Sequence, residues 1–291
     1  MDFVPVLERT SSKTRSAFTG PARGAPFFRD AFTTTTWLAM GALAQAALIL
    51  IAGRIAMVPA LAYIIFQSAN TGLQIQGITK NPNMDGVILK KVSAQLPDST
   101  GKFGSKAANR DLVVFHIGAR CNHPLGLFGP GFKEMGEMFA QMVKDLEQHK
   151  SEFGFFGATS WLNASERGTS NETMVCCYFD NVEGLHAFAH SKYHQGAWNW
   201  WNKNYKSHPH LSIYHETYQV PKGGWETIYV NSHLSGLGSA TVPIKDEETG
   251  EEVYASTLVD ASKGVLRTSA GRMARSLKAD EHKDLQYAAP Y

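Results

Sequence analysis

Asp180–Tyr205, DNVEGLHAFAHSKYHQGAWNWWNKNY, is the stretch whose reading decides the fold. It reads as one helix. Asp180 can cap it, and Glu183 three residues later completes a capping-box spacing. At about 100° per residue, Leu185, Ala189, Tyr193, Gly196 and Trp200 fall on one side. His186 and His190 flank that apolar stripe, and His194 sits further round, toward the polar side. Trp198, Trp200 and Trp201 follow. Such a helix is either a core element with satisfied histidines and an aromatic end, or one wall of a site that uses titratable groups.

Working outward, strands flank it. Upstream, LVVFHIGARC alternates, with Val113, Phe115 and Ile117 facing one way and His116 and Arg120 the other. A Pro/Gly loop follows, then a helix over 130–150 with Phe132, Met135, Phe139, Met142 and Leu146 at helical spacing. Phe153–Leu162 reads as a second strand, whose Gly154 and Gly157 hint at a bulge or a close approach. Thr173–Phe179 returns as a hairpin. Downstream of the helix, Leu211–Val220 is a fourth strand and Trp225–Asn231 a possible fifth. The order over 111–231 is β-α-β-β-α-β, the split arrangement of ferredoxin-like α+β domains. Both helices then lie on one face of a sheet. The other face needs a cover, for which a second copy, a homodimer, is the default expectation.

Outside this domain the composition shifts. Residues 1–30 read as a polar N-terminal tail, too long and polar a lead for an ordinary signal peptide. Ala31–Gly53 carries no charge over 23 residues, and after Arg54 another 25 uncharged residues run from Ile55 to Thr79. About 20 apolar residues span a bilayer core, so 31–79 reads as a transmembrane segment or hairpin. Pro59, Gln67, Ser68 and Asn70 weaken its second half, and a buried hydrophobic hairpin is the competing reading. Residues 80–110 read as a linker, in which VILKKV is a strand or an interfacial patch. Residues 232–291 read as a polar C-terminal tail. Basic residues on both sides of the apolar run favour a hairpin with both ends cytosolic. Asn163 and Asn171 open glycosylation sequons, usable only if the domain is lumenal.

A formal net charge of +2 gives no argument for nucleic acid. Cys121, Cys176 and Cys177 provide neither a disulfide framework nor metal-ligand spacing. The Gly-rich GLFGPG lacks the lysine and the strand-to-helix context of a phosphate loop, and no HExxH is present. No metal site is expected.

The element order, with FDNVEGLHAFAHSKYHQGAW on the second helix and an apolar segment ahead of the domain, resembles the dimeric α+β barrel superfamily. It is similar in particular to the antibiotic-biosynthesis-monooxygenase type, in a fungal branch that includes the monooxygenase-like protein of fumagillin biosynthesis. Phe188-Ala-His190 with Tyr193-His194 is the strongest local match. The resemblance implies oxidation of a lipophilic secondary metabolite, a polyketide or terpenoid, with O₂ and without metal or flavin. Related branches bind haem. No counterpart of the Asn/Trp/Arg constellation of the bacterial members stands out.

The residues are compatible with that chemistry. A pocket between helices and sheet would be apolar with a few convergent polar groups, here His116 and Arg120 from the first strand and His186, His190 and Tyr193 from the helix. His194, Trp198 and Trp200 would add substrate contacts. Neutral histidine is a suitable base near pH 7, and Arg or Tyr can stabilise an oxyanion. The expectation is a monooxygenase anchored in a membrane, that of the endoplasmic reticulum, with His190 as base. A haem enzyme of the same fold, aldoxime-dehydratase-like, and a non-catalytic metabolite-binding membrane protein are the alternatives.

Overall fold

The computed structural model describes residues 2–11, 28–29, 31–163, 172–246 and 249–275. Thr34–Ala52 (α1) starts at Thr33, whose hydroxyl accepts from Thr36 N at 3.2 Å. It stops at Gly53, where φ is 62°. A single 3₁₀ turn, Gly53–Met57, leads into Val58–Ile75 (α2), with Pro59 in the first turn, where its missing N–H breaks no bond. Gln45 Nε2 donates to Ala56 O at 3.0 Å. Residues eleven apart in a continuous helix are separated by about 16 Å, so the chain turns sharply at Gly53. The two helices do not then pack along each other. Thr34–Ile75 is long and apolar enough to cross a membrane, with none of its most apolar window buried.

Ile88–Ala94 (β1) precedes the ferredoxin-like unit. That unit runs Leu112–Cys121 (β2), Phe132–Gln148 (α3), a single turn Lys150–Phe153 (α4), Phe155–Leu162 (β3), Thr173–Phe179 (β4), Val182–Ala189 (α5), Lys192–Asn204 (α6) and Leu211–Val220 (β5). Its sheet has the order β3-β4-β2-β5, antiparallel throughout, as the β-α-β-β-α-β reading requires. Alternation on β2 sends Val113, Phe115 and Ile117 to the helix face. There they meet Leu146 of α3, Phe153, Leu185 and Phe188, with Val175, Cys177 and Phe179 from β4.

The stretch Asp180–Tyr205 is two helices, not one. Asn181, rather than Asp180, is the first cap, accepting from Gly184 N at 2.8 Å. Asp180 instead pairs with Arg110. The break falls at His190–Ser191. Ser191 is extended (φ −77°, ψ 163°) and its hydroxyl donates to Phe188 O at 2.7 Å while accepting from Tyr193 N at 3.2 Å. A serine that closes one helix and caps the next competes successfully with the helical ladder.

Residues 80–110 are not a linker, and residues 232–275 are not a tail. Tyr229–Ser232 (β6) and Leu258–Asp260 (β9) flank β1 in a sheet of order β6-β1-β9, and Thr241–Lys245 (β7) pairs with Glu252–Ser256 (β8). A last helical turn, Ser269–Arg272 (α7), follows. The possible fifth strand therefore exists, but it joins β1 instead of extending the four-stranded sheet. Between β7 and β8, Asp246 Oδ1 accepts from Thr249 N at 3.0 Å and Gly250 has φ 69°. The start of the chain is also held. Val6 and Leu7 pack on the same core, and Pro5 bridges to Val259.

These segments cover half of the sheet face that the helices leave open. Leu112, Val114, Phe156, Tyr178 and Val220 pack there against Val92, Leu237, Ala240 and Val242. The hint at Gly157 is borne out. A bulge shifts the register between Phe155 and Gly157, and a Cβ on Gly157 would lie 3.3 Å from Ala240 Cα. Buried Lys150 crosses the same seam, donating to Phe156 O at 2.8 Å and Thr241 Oγ1 at 3.0 Å and pairing with Glu147 at 3.1 Å. The other half of the open face, with the edge strand β5, carries no cover. Every residue from Ile213 to Gln219 is exposed.

Candidate active site

The sheet divides the expected site residues into two groups that do not meet. On the helix side, His186 and His190 are exposed on α5 and at its end. The His190 ring lies 6.4 Å from that of Trp198, which is itself exposed. Tyr193 turns inward, its ring 4.6 Å from that of His149 and 6.0 Å from that of Phe153. His194 is half-buried, 6.0 Å from Phe188, and its Nδ1 is enclosed without a hydrogen-bond partner. Burial pulls the His194 pKa down, a hydrogen bond with the Ala189 backbone opposes this, and neighbouring His190 lowers it further. Trp200 and Trp201 pack on Cys121, Met135 and Leu211. Between these helices and the sheet stand Phe153, Phe155, Phe179 and Phe188, a packed aromatic core.

His116 and Arg120 lie on the other face of β2, in its uncovered half. Cross-strand register builds a polar cluster around them. His116 stands beside Cys176 of β4 and Glu216 of β5, and Gly118 stands between Met174 and Tyr214. The His116 Nδ1 is 3.9 Å from Glu216 Oε2, beyond hydrogen-bond reach. Tyr218 OH donates to that carboxylate at 2.7 Å, and this hydrogen bond pushes the phenol's pKa up. Further along this face, just ahead of β4, Glu172 collects three partners. Tyr214 OH donates at 3.1 Å, Asn163 Nδ2 donates at 3.1 Å, and Arg120 approaches to 3.5 Å.

Gly118 makes the second cluster possible. A Cβ there would sit 2.2 Å from Tyr214 Cζ, so the phenol ring crosses directly over the glycine to reach Glu172. Burial and the Glu172 hydrogen bond push the Tyr214 pKa up, keeping it a donor. Beside it, Trp161, Leu162, Asn163, Glu172, Met174 and Tyr214 line a pocket of about 220 Å³. Its lining combines aromatic and thioether groups with one carboxylate and one amide. Asn163 spends on Glu172 the nitrogen to which a glycan would be joined; Asn171 lies outside the described residues. Among the described residues, no three His, Cys, Asp or Glu side chains are grouped as metal ligands.

Tyr214, Glu216, Tyr218, Trp161, Met174 and Glu172 were not among the residues expected from sequence. The signal for three of them is present in LSIYHETYQV, where Tyr214, Glu216 and Tyr218 recur at every second position and so share one strand face.

Residues 112–237 match the family described as Monooxygenase af470-like. Monooxygenase af470 of Aspergillus fumigatus is 34% identical over 251 residues, which cover 86% of this chain and 90% of that protein. Among solved structures, an aldoxime dehydratase (OxdRE) in complex with butyraldoxime aligns with TM-score 0.40 at 10% identity, covering 51% of this chain and 39% of that one. SnoaB, a cofactor-independent oxygenase from Streptomyces nogalater, aligns with TM-score 0.26 at 9% identity, covering 36% of this chain and 90% of that one. The resemblance carried by the histidine-bearing stretch and the element order therefore holds, and by its identity over most of both sequences this chain belongs to the Monooxygenase af470-like family and is a monooxygenase.

Proposed function

We propose that this monooxygenase is anchored in a membrane, that of the endoplasmic reticulum, through Thr34–Ile75 and oxidises a lipophilic metabolite of polyketide or terpenoid type in a fungal biosynthetic pathway. The observation that carries this reading is the apolar segment, with mean hydropathy 2.2 over its best window and none of that window buried by protein. Leaving such a surface in water costs about 25 cal/mol per Å², whereas a bilayer accepts it. An anchored enzyme meets its substrate where an apolar metabolite concentrates. The exposed strand β5 and the uncovered half-sheet suit a second copy, so the assembly proposed is a homodimer that closes over the pocket rim.

O₂ is the co-substrate, with neither metal nor flavin resident. An activated methylene then supplies all the electrons: its two C–H bonds are replaced by C=O, and the second oxygen leaves as water with both hydrogens. The step needs a base and a donor for the developing oxyanion. His116, with Glu216 charge beside it, is the base best supplied with a partner, and Tyr214 is the nearby phenol held protonated. His190, exposed beside Trp198 on the helix side, and His186, exposed on α5, are the competing bases.

The test is complementation of a deletion strain, read by metabolite profile and by ¹⁸O₂ incorporation. General-base catalysis is worth typically 10²–10⁴-fold, and His116→Ala should lower product formation by about that much. A comparable loss in His190→Ala with near-normal output from His116→Ala would move the base to the helix. A Soret band in the purified protein that tracks activity would replace this reading with the haem enzyme.

A further inference from the structure

Within the apolar segment, α2 carries a polar line along one side. Ala60, Tyr63, Gln67, Asn70 and Gln74 follow one another at steps of three, four, three and four residues, which aligns them along the helix. From Tyr63 to Gln74 the line runs about 16 Å at 1.5 Å per residue. Its groups are neighbours in space, since Gln67 Nε2 donates to Tyr63 OH at 2.9 Å. Leu61, Ile65, Phe66 and Leu73 lie on the far side of the helix and are exposed. Helix α1 does not pack along α2, and among the described residues the side-chain amides of Asn70 and Gln74 have no hydrogen-bond partner.

An amide held in hydrocarbon without a partner is costly, so polar groups in membrane helices turn toward other helices. A helix that lies flat at the headgroups instead carries charge on its polar face. This line carries none, and the 25 residues from Ile55 to Thr79 are uncharged. Each amide holds both donors and an acceptor, so a row of them is complementary to itself. Two copies anchored with the same topology lie parallel. In a parallel pair related by a two-fold axis, each residue of a three-four line meets its own counterpart.

We infer that α2 pairs with α2 of a second copy of this chain inside the bilayer, along Tyr63, Gln67, Asn70 and Gln74. The inference rests on the membrane-anchor reading and adds to it a helix–helix contact within lipid. Amide hydrogen bonds close between the two helices, while Leu61, Ile65, Phe66 and Leu73 meet the acyl chains. Polar groups at such positions also fix register, since sliding one helix along the other leaves an amide opposite an apolar side chain.

The experiment uses the full chain in phosphatidylcholine vesicles with lipid in excess. A cysteine is placed on the line, Ala60→Cys, or on the opposite side of the helix, Ala69→Cys, and neither change removes an amide. The parent chain, whose own three cysteines are buried, is the blank. Flotation reads the anchor, and disulfide cross-linking under mild oxidation reads the seam. The expected result is flotation of every variant, with a covalent dimer from Ala60→Cys and none above the blank from Ala69→Cys. Adding Gln67→Leu/Asn70→Leu/Gln74→Leu to Ala60→Cys should lower the dimer yield about tenfold with flotation unchanged. Equal cross-linking at 60 and 69, or a yield that the leucines leave unchanged, overturns the inference. Flotation without cross-linking at 60 also overturns it and leaves the anchor standing; the polar line then faces headgroups or water. Failure to float overturns both.

Discussion

At Gly118 the open-face cluster depends on the absence of one carbon. A methyl at that position meets the Tyr214 ring, which is exposed and can swing away. Gly118→Ala should therefore fold with little change in melting temperature yet lose the Tyr214 contact with Glu172. Turnover falling about tenfold or more, with thermal unfolding within a degree or two of wild type, is the expected pattern. An unchanged turnover would remove Tyr214 from the reaction. His194 makes the opposite kind of contribution, to stability rather than chemistry. Its folded-state pKa lies below the ordinary value of 6.5, mainly through burial. Between the two values the unfolded chain binds more protons, so stability rises with pH through that window and falls on acidification below about 6.5. Chemical unfolding between pH 7 and 5 should show this slope, and His194→Phe should flatten it.

Ser191 decides the shape of the second helical element. Its hydroxyl closes α5 at Phe188 O and opens α6 at Tyr193 N. Ser191→Ala removes the cap, and a loss of about 1 kcal/mol in denaturant unfolding is expected. The break also turns α6 so that Tyr193 packs on His149 and Phe153 while Trp200 reaches Cys121 and Leu211. A variant as stable as wild type would mean that these contacts, not the cap, fix the bend. On the sheet, β2 is the central element. It pairs with β4 and β5, buries apolar groups on both faces at its start, and exposes His116 and Arg120 only where the covering layer ends.

For the whole molecule, the folded unit is larger than the ferredoxin-like order suggests. A chain comprising 111–231 alone would bare Phe156 and Leu112, which are buried, and the partly buried Val114, all packed in the cluster with Val92, Leu237 and Val242. Expressed without its neighbours, it should aggregate. A chain beginning at Lys80 keeps the covering layer and should stay soluble without detergent, whereas the full chain should pellet with membranes and resist carbonate. Sedimentation of the Lys80-start chain then reads the proposed dimer. Solubility of 111–231 alone would show that the covering layer is dispensable.

What the sequence determined by itself is whatever nearest neighbours determine. Val113, Phe115 and Ile117 against His116 and Arg120 fixed the two faces of β2. Phe132, Met135, Phe139 and Leu146 marked α3, and the uncharged run marked the apolar segment, because period and length are local properties. Which face of β2 would receive the helices is not local, so the sequence could not show that the sheet separates His116 and Arg120 from His186, His190 and Tyr193. Nor could it show that 80–110 and 232–275 fold. Val92–Ala94 and Tyr254–Ser256 are buried on both sides and so lack alternation, and the partners of β1 lie far away in the chain. Gln95 N bonds Thr257 O, and Ala94 N bonds the Thr227 hydroxyl. Contacts at that separation exist only once the chain has closed on itself, and they decided that a monooxygenase-family sheet is half-covered by its own ends and half-open around Glu172 and His116.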